Sequence, residues 1–263
     1  MTTRKTFVRA GVDVLLYLLL FLLLQIIFTS AATVVEQYVD MAPGVSMAVS
    51  SALSGIAAIW LFAARGWSPY SRRYVASRPW SVLLWVALLA FGSIAPSEWL
   101  LEKMEFDMPD ATLRLLEQVM ATPWGYMAVG VLIPIAEEMV FRGAILRRLL
   151  AVTGTKRHWA AIAISALVFG GCHGNVPQFV HATLIGLLLG WMYYRTDSIV
   201  PGVVFHWVNN SVVFVVFNLL PQSSHGSITD LFGGNERTVM LLLLFSLCIF
   251  LPSLFQLSLR LRK

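Results

Sequence analysis

Polar residues enter this chain in short clusters, and the apolar runs between them are long enough to cross a bilayer, which takes about 20 residues of helix. Eight such runs follow one another: 14–35, 44–64, 80–101, 124–146, 159–173, 177–194, 199–219 and 239–259. No internal repeat, low-complexity tract or long linker separates them, so the pattern predicts one all-α polytopic bundle over residues 1–263. Arg4, Lys5 and Arg9 ahead of the first run also describe a signal peptide. That run, however, exceeds the usual h-region of about 7–15 residues and is followed only by a weak TSAA cleavage site, so it is expected to be a retained helix. Residues 102–122 alternate acids with Met, Phe and Leu at helical spacing and predict an amphipathic helix on the far surface. The stretch 221–237 is turn-rich and predicts no element, with His225 a solvated loop residue.

Composition agrees with a bilayer setting. Hydrophobic residues make up 58% of the chain and charged ones 13%, against about 25% charged in soluble domains. The formal charge of +5 invites a nucleic-acid reading, but its distribution removes the need for one. With a cytoplasmic N-terminus and eight alternating spans, only Lys103, Arg114 and Arg237 of the 19 basic residues fall on the far side. Ten of the 14 acids collect there. The positive-inside rule therefore places both termini in the cytoplasm. Cys172 and Cys248 lie in separate apolar runs without metal-ligand spacing and read as small buried hydrophobes.

Three polar clusters sit at membrane depth. The stretch GVLIPIAEEMVFRGAILRRLL (130–150) holds Glu137, Glu138 and Arg142. A charge at the bilayer centre costs about 2.5–3.5 kcal/mol on insertion scales, so each needs a reason. Glu138 and Arg142 are four apart and share a helix face, which predicts a structural ion pair. Glu137 is rotated by about 100° and has no partner within its own helix. The second cluster, FGGCH, ends in His173, and the third, HWVNN, sets His206 and Asn210 four apart on one face. His181 and Asn209, taken singly, read as interhelical hydrogen-bonding residues. Glu137, His173, His206 and Asn210 together are more polarity than packing requires. A desolvated carboxylate can take a proton from water, an imidazole can hold that water, and an imidazole with a carboxamide can stabilise an oxyanion. The same residue types also suit a zinc site with Glu137, His173 and His206 as ligands.

The order E-E-x-x-x-R, F-x-x-x-H, H-x-x-x-N on successive membrane helices resembles the CPBP family, the CAAX proteases and bacteriocin-processing (Abi) proteins. The run GLLLGWMYYRTDSIVPGVVFHWVNN adds to the likeness, which covers about 124–215. The resemblance implies an eight-helix intramembrane endopeptidase in a bacterial plasma membrane, with its cavity open to the cytoplasm. Glu137 would be the base, His173 the water holder, and His206 with Asn210 the oxyanion site. The substrate would be a hydrophobic or lipid-anchored peptide, prenylated at a CAAX end in some members, and metal use in the family has been described both ways. His181 has no counterpart in the pattern. Two other classes compete: a Glu/His proton-coupled transporter, for which the chain lacks inverted repeats, and a non-catalytic bacteriocin-immunity or partner-binding protein. Depth sets one tension. Helix rise puts Glu137 and His206 about 10 Å from the cytoplasmic boundary but His173 about 20 Å from it.

A reporter fused after Lys263 should score as cytoplasmic; an external signal there overturns the charge argument.

Overall fold

The computed structural model describes residues 2–69, 71–106, 108–220 and 227–261, with side chains from residue 5 onward. His225, Asp107, Arg262 and Lys263 lie outside the described residues. All the described elements are helical.

Helix α1 (Thr2–Glu36) turns Ala10, Tyr17 and Phe21 inward and leaves Val12, Leu15, Leu19, Leu23 and Ile26 on the outer face, an apolar exterior suited to lipid. Its Asp13 reaches Arg148 at 2.7 Å. Helix α2 (Pro43–Ala64) begins with Pro, whose fixed φ suits a first turn. Its buried stripe of Gly44, Ala48, Gly55 and Ala58 lets neighbouring backbones approach closely. The Ser50 and Ser54 hydroxyls on this helix donate to carbonyls of their own helix, so they enter a dry interior satisfied. After the short α3 (Arg72–Ala76), α4 (Trp80–Lys103) crosses, and α5 (Asp110–Met120) lies against α2. Helix α5 is the amphipathic surface helix predicted within 102–122.

Residues 126–153 run as one helical path of changing width. A π-helical segment (Tyr126–Leu132) leads into α6 (Ile133–Glu137), a second π-helical segment (Glu138–Leu146) and α7 (Arg147–Thr153). Pro134 supplies a cause for the first widening: its ring crowds the carbonyl of the preceding turn and it has no N–H to donate. Two neighbouring helices hold the widened turns by hydrogen bonds. The Asn210 amide donates to the Val129 carbonyl at 3.0 Å, and the Ser165 hydroxyl to the Phe141 carbonyl at 2.9 Å. Gly154, at φ 66°, ends the path.

A short 3-10 turn (Thr155–Arg157) leads to α8 (His158–Gly171). Helix α9 (Val176–Thr196) is capped by Asn175, whose side chain accepts from the Gln178 N–H, and it packs along α8. Helix α10 (Val200–Leu219) packs on α4 and α9. Helix α11 (Ile228–Leu231) opens with a Ser227–Asp230 capping box, and α12 (Glu236–Arg260) lies along α4. Residues 221–237, predicted to hold no element, thus contain α11 and the first residues of α12.

Among the described residues, six helices are long and apolar enough to cross a membrane, not eight. The 124–146 run drops out because it is divided into α and π segments and carries three charges. The 159–173 run is a helix of 14 residues, about 21 Å long and shorter than the roughly 30 Å hydrocarbon core. His173 follows α8 in a turn and lines the same cavity as Glu137 and His206.

Candidate active site

The centre of the bundle is the pair Glu138–Arg142. Its oxygen–nitrogen distance is 2.9 Å, and the side chains are 0% and 1% exposed. The contact lacks the alignment of a hydrogen bond, and both carboxylate oxygens are without another donor. The guanidinium finds its remaining company in the Gly186 carbonyl, 3.5 Å from Nη2, and the Phe169 ring, 4.4 Å from Cζ. Two glycines make the room. A Cβ on Gly202 of α10 would collide with the Glu138 carboxylate, and one on Gly186 of α9 would come to 3.3 Å from Arg142 Nη2. The i,i+4 pairing read from the sequence is present, and the widened π turn carries it.

Around this pair the predicted residues assemble. His206, from α10, stands between the two glutamates: Nε2 is 3.6 Å from Glu137 Oε2, and Nδ1 is 3.8 Å from Glu138 Oε1. Both distances are beyond hydrogen-bond length, of the loose kind that apo sites often show. His173 directs Nδ1 at the Phe169 carbonyl at 3.1 Å. A carbonyl only accepts, so Nδ1 carries the proton in this contact, and in the neutral imidazole that leaves the lone pair on Nε2. Asn210 lines the cavity, with its amide already donating to Val129. Glu137, His173, His206 and Asn210 thus line one cavity of about 380 Å³.

Three residues gain parts that local spacing does not reveal. Phe169 meets the rings of His173 and His206 edge-on, at 5.1 and 6.0 Å, while its face carries Arg142, so one ring seats both imidazoles and the cation. Its only signal in the sequence is its place four residues before His173. Glu138, predicted to be purely structural, also faces His206 Nδ1. His181 lines the cavity, and its Nδ1 is buried without a partner.

Two further expectations concern a metal and the opening of the cavity. Among the described residues, no group of three or more His, Cys, Asp or Glu side chains converges as metal ligands. Glu137, His173 and His206 share a cavity but not a coordination sphere, so no chemical step is routed through zinc below. The cavity was also expected to open towards the basic, cytoplasmic side. Its wall includes Glu98 and Leu101 near the end of α4, Leu116 and Met120 of α5, and Val129 and Gly130 near the start of the 126–153 path. These belong to the acidic end of the bundle, opposite Arg147, Arg148 and Arg195.

A second cavity of about 280 Å³ adjoins, bounded by α1, α2 and α5 through Gln25, Met47, Ser54 and Leu115. The two share Leu116, Val129, Ile133 and Gln178 as walls.

A helical membrane bundle that gathers carboxylates and imidazoles around one cavity is a setting for hydrolysis inside a membrane. Residues 119–212 match the family described as "Type II CAAX prenyl endopeptidase Rce1-like". The matched segment contains Glu137, Glu138, Arg142, His173, His206 and Asn210. The chain is also similar to a Bacillus subtilis (strain 168) protein named "Putative membrane peptidase YdiL", with 28% identity over 118 residues. That similarity covers 43% of this chain and 47% of the relative, so the chain spans about half the length of the curated protein it matches. No solved structure matches.

The buried pair sets two expectations for stability. Arg142→Ala leaves the Glu138 carboxylate buried and unpaired, which costs about 3–5 kcal/mol, and detergent melting should show the loss. A stable but inactive Arg142→Ala would move Arg142 from scaffold to chemistry. Gly202→Ala should also destabilise, whereas Gly171→Ala should not, because a Cβ at Gly171 meets nothing within 4 Å. Equal melting temperatures for the two glycine variants would contradict the close approach of Glu138 to α10.

Proposed function

We propose that this protein is an intramembrane endopeptidase that hydrolyses a peptide bond of a membrane-associated substrate with water activated by Glu137. The observation that carries the reading is the convergence of Glu137, His173, His206 and Asn210 on one cavity, inside a segment matching a peptidase family.

Glu137 takes a proton from a water held by the free Nε2 of His173, and the water oxygen bonds to the substrate carbonyl carbon. The carbonyl π electrons move to oxygen. His206, with the second N–H of Asn210, donates to that oxyanion, which is where preorganised donors lower a barrier most. As the tetrahedral intermediate collapses, the C–N bond breaks and Glu137 returns the proton to the leaving amine. Glu138 faces the His206 ring, and Phe169, packed on Arg142, holds both imidazoles by packing. The adjoining cavity between α1, α2 and α5 offers mainly apolar space for a hydrophobic or lipid-anchored part of the substrate, a CAAX-type prenyl chain being one such group. The setting is a multi-pass position in a bacterial plasma membrane with both termini cytoplasmic.

Glu137→Gln keeps the shape and removes the base, so cleavage by the detergent-purified protein should fall by about 10²–10⁴. His173→Ala should lose activity on the same scale, and His206→Ala by up to about 10³. If the residues act as a unit, Glu137→Gln/His173→Ala should be little worse than either single variant. Cleavage by Glu137→Gln at the wild-type rate, with the fold intact, ends this mechanism.

A further inference from the structure

Gln178 stands where the two cavities meet, and its side chain is held in one orientation. Of the walls the cavities share, Leu116, Val129, Ile133 and Gln178, only Gln178 has a polar side chain. It lies on a face of α9, with His181, Ala182 and Ile185, that lines the cavity holding Glu137. A chain of hydrogen bonds fixes which way its carboxamide points. The Gln178 backbone N–H only donates, and it meets the Asn175 side chain at 3.0 Å, so the atom it meets is Oδ1. The other end of the Asn175 carboxamide is then the nitrogen, in keeping with its 3.2 Å contact to the His173 carbonyl. That nitrogen gives its second N–H to Gln178 at 2.6 Å, which makes the Gln178 atom there Oε1. With its oxygen turned to Asn175, Gln178 has its –NH2 group left over. This group has no acceptor among the described residues and is not sealed from solvent. Asn175, by contrast, has used both its N–H groups and its oxygen. The reaction steps above leave the Gln178 donors without a task.

We propose that Gln178 is a substrate-binding residue, whose side-chain N–H donates to a backbone carbonyl of the substrate beside the scissile one. A peptide with its scissile carbonyl at Glu137 and its apolar part in the adjoining cavity passes the wall that both cavities share. Its main-chain carbonyls lose water there, and a carbonyl buried without a donor is costly. Leu116, Val129 and Ile133 have no side-chain donor to give, whereas Gln178 does. Asn175 joins this donor to the turn that carries His173, so the held carbonyl and the water on His173 are set from one piece of backbone. Such positioning counts because small misplacements of a reacting carbonyl are costly in rate. The proposal rests on the peptidase reading above and names how that site holds the substrate main chain.

The test uses the full chain in detergent and internally quenched peptides, made with and without a prenylated cysteine. In a peptide that is cleaved, each backbone carbonyl except the scissile one is replaced in turn by a thiocarbonyl, a weaker acceptor. At one position beside the cleavage site the wild type should lose about fivefold in kcat/KM, the scale of one neutral hydrogen bond. Gln178→Met has no donor, and an ionised Gln178→Glu only accepts. Both should raise KM for the unmodified peptide by about fivefold with kcat little changed, the signature of lost uniform binding. In both, the thiocarbonyl at that position should cost nothing further. Gln178→Glu keeps an oxygen for Asn175, so it serves where Gln178→Met folds poorly. Each comparison sets two peptides against one protein sample, so a general loss of active protein does not imitate it. The same thiocarbonyl profile in wild type and variants, or variants that lower kcat with KM unchanged, overturns the proposal. If the wild type cleaves no peptide, the peptidase reading fails and this proposal falls with it.

Discussion

Two opposite charges with almost no contact with solvent organise this molecule. Glu138 and Arg142 are costly to bury singly, and their attraction offsets that cost only where the surroundings are shaped to them. The bundle supplies that shape from every side. Gly202 lets the carboxylate approach α10, Gly186 and its carbonyl receive the guanidinium on α9, and the Phe169 face closes over it from α8. Three helices are thereby held to the 126–153 path at one level. The residues that reach the cavity from these helices, His173 and His206, take their positions from this packing. The ion pair is thus a scaffold whose second contact, Glu138 to His206, extends into the site itself.

Irregular helix geometry does the rest. A regular helix through 126–146 would satisfy its backbone internally and offer neighbours little to hold. The widened turns are instead bridged from α10 by Asn210 and from α8 by Ser165. Wide turns inside α-helices are rare and recur at functional sites. Here the change from α to π falls between Glu137 and Glu138, the residues that split into a cavity-facing and a buried carboxylate. Helix α8 contributes through the turn that follows it, which carries His173 onto the cavity that Glu137 lines.

The two ends of the bundle differ in charge, and the cavity lies at the acidic one. Arginines and lysines mark the opposite face, where they suit anionic headgroups. The cavity wall carries carboxylates, imidazoles and amides without a strong cation.

Much of this was legible in the sequence, for reasons that are local. Charges within apolar runs announce themselves, and a spacing of four predicts the Glu138–Arg142 contact because helix geometry alone brings those side chains together. The order of the three motifs pointed to the family, and the acid-and-Met stretch to α5. What local spacing cannot carry is the distance between helices and the depth of their ends. Hydropathy counted eight spans because it sees apolar length; it cannot see that one run is divided by π turns and another stops at 14 residues. The meeting of Glu137 with His206, the seating of three side chains by Phe169, the use of Asn210 on Val129 and the placing of the cavity at the acidic end all depend on packing between helices distant in the chain. The sequence by itself determined which residues bear charge in the membrane and which pair within one helix. Only the tertiary structure decided which of them face each other across the bundle, because that depends on where glycines and an aromatic ring let helices approach.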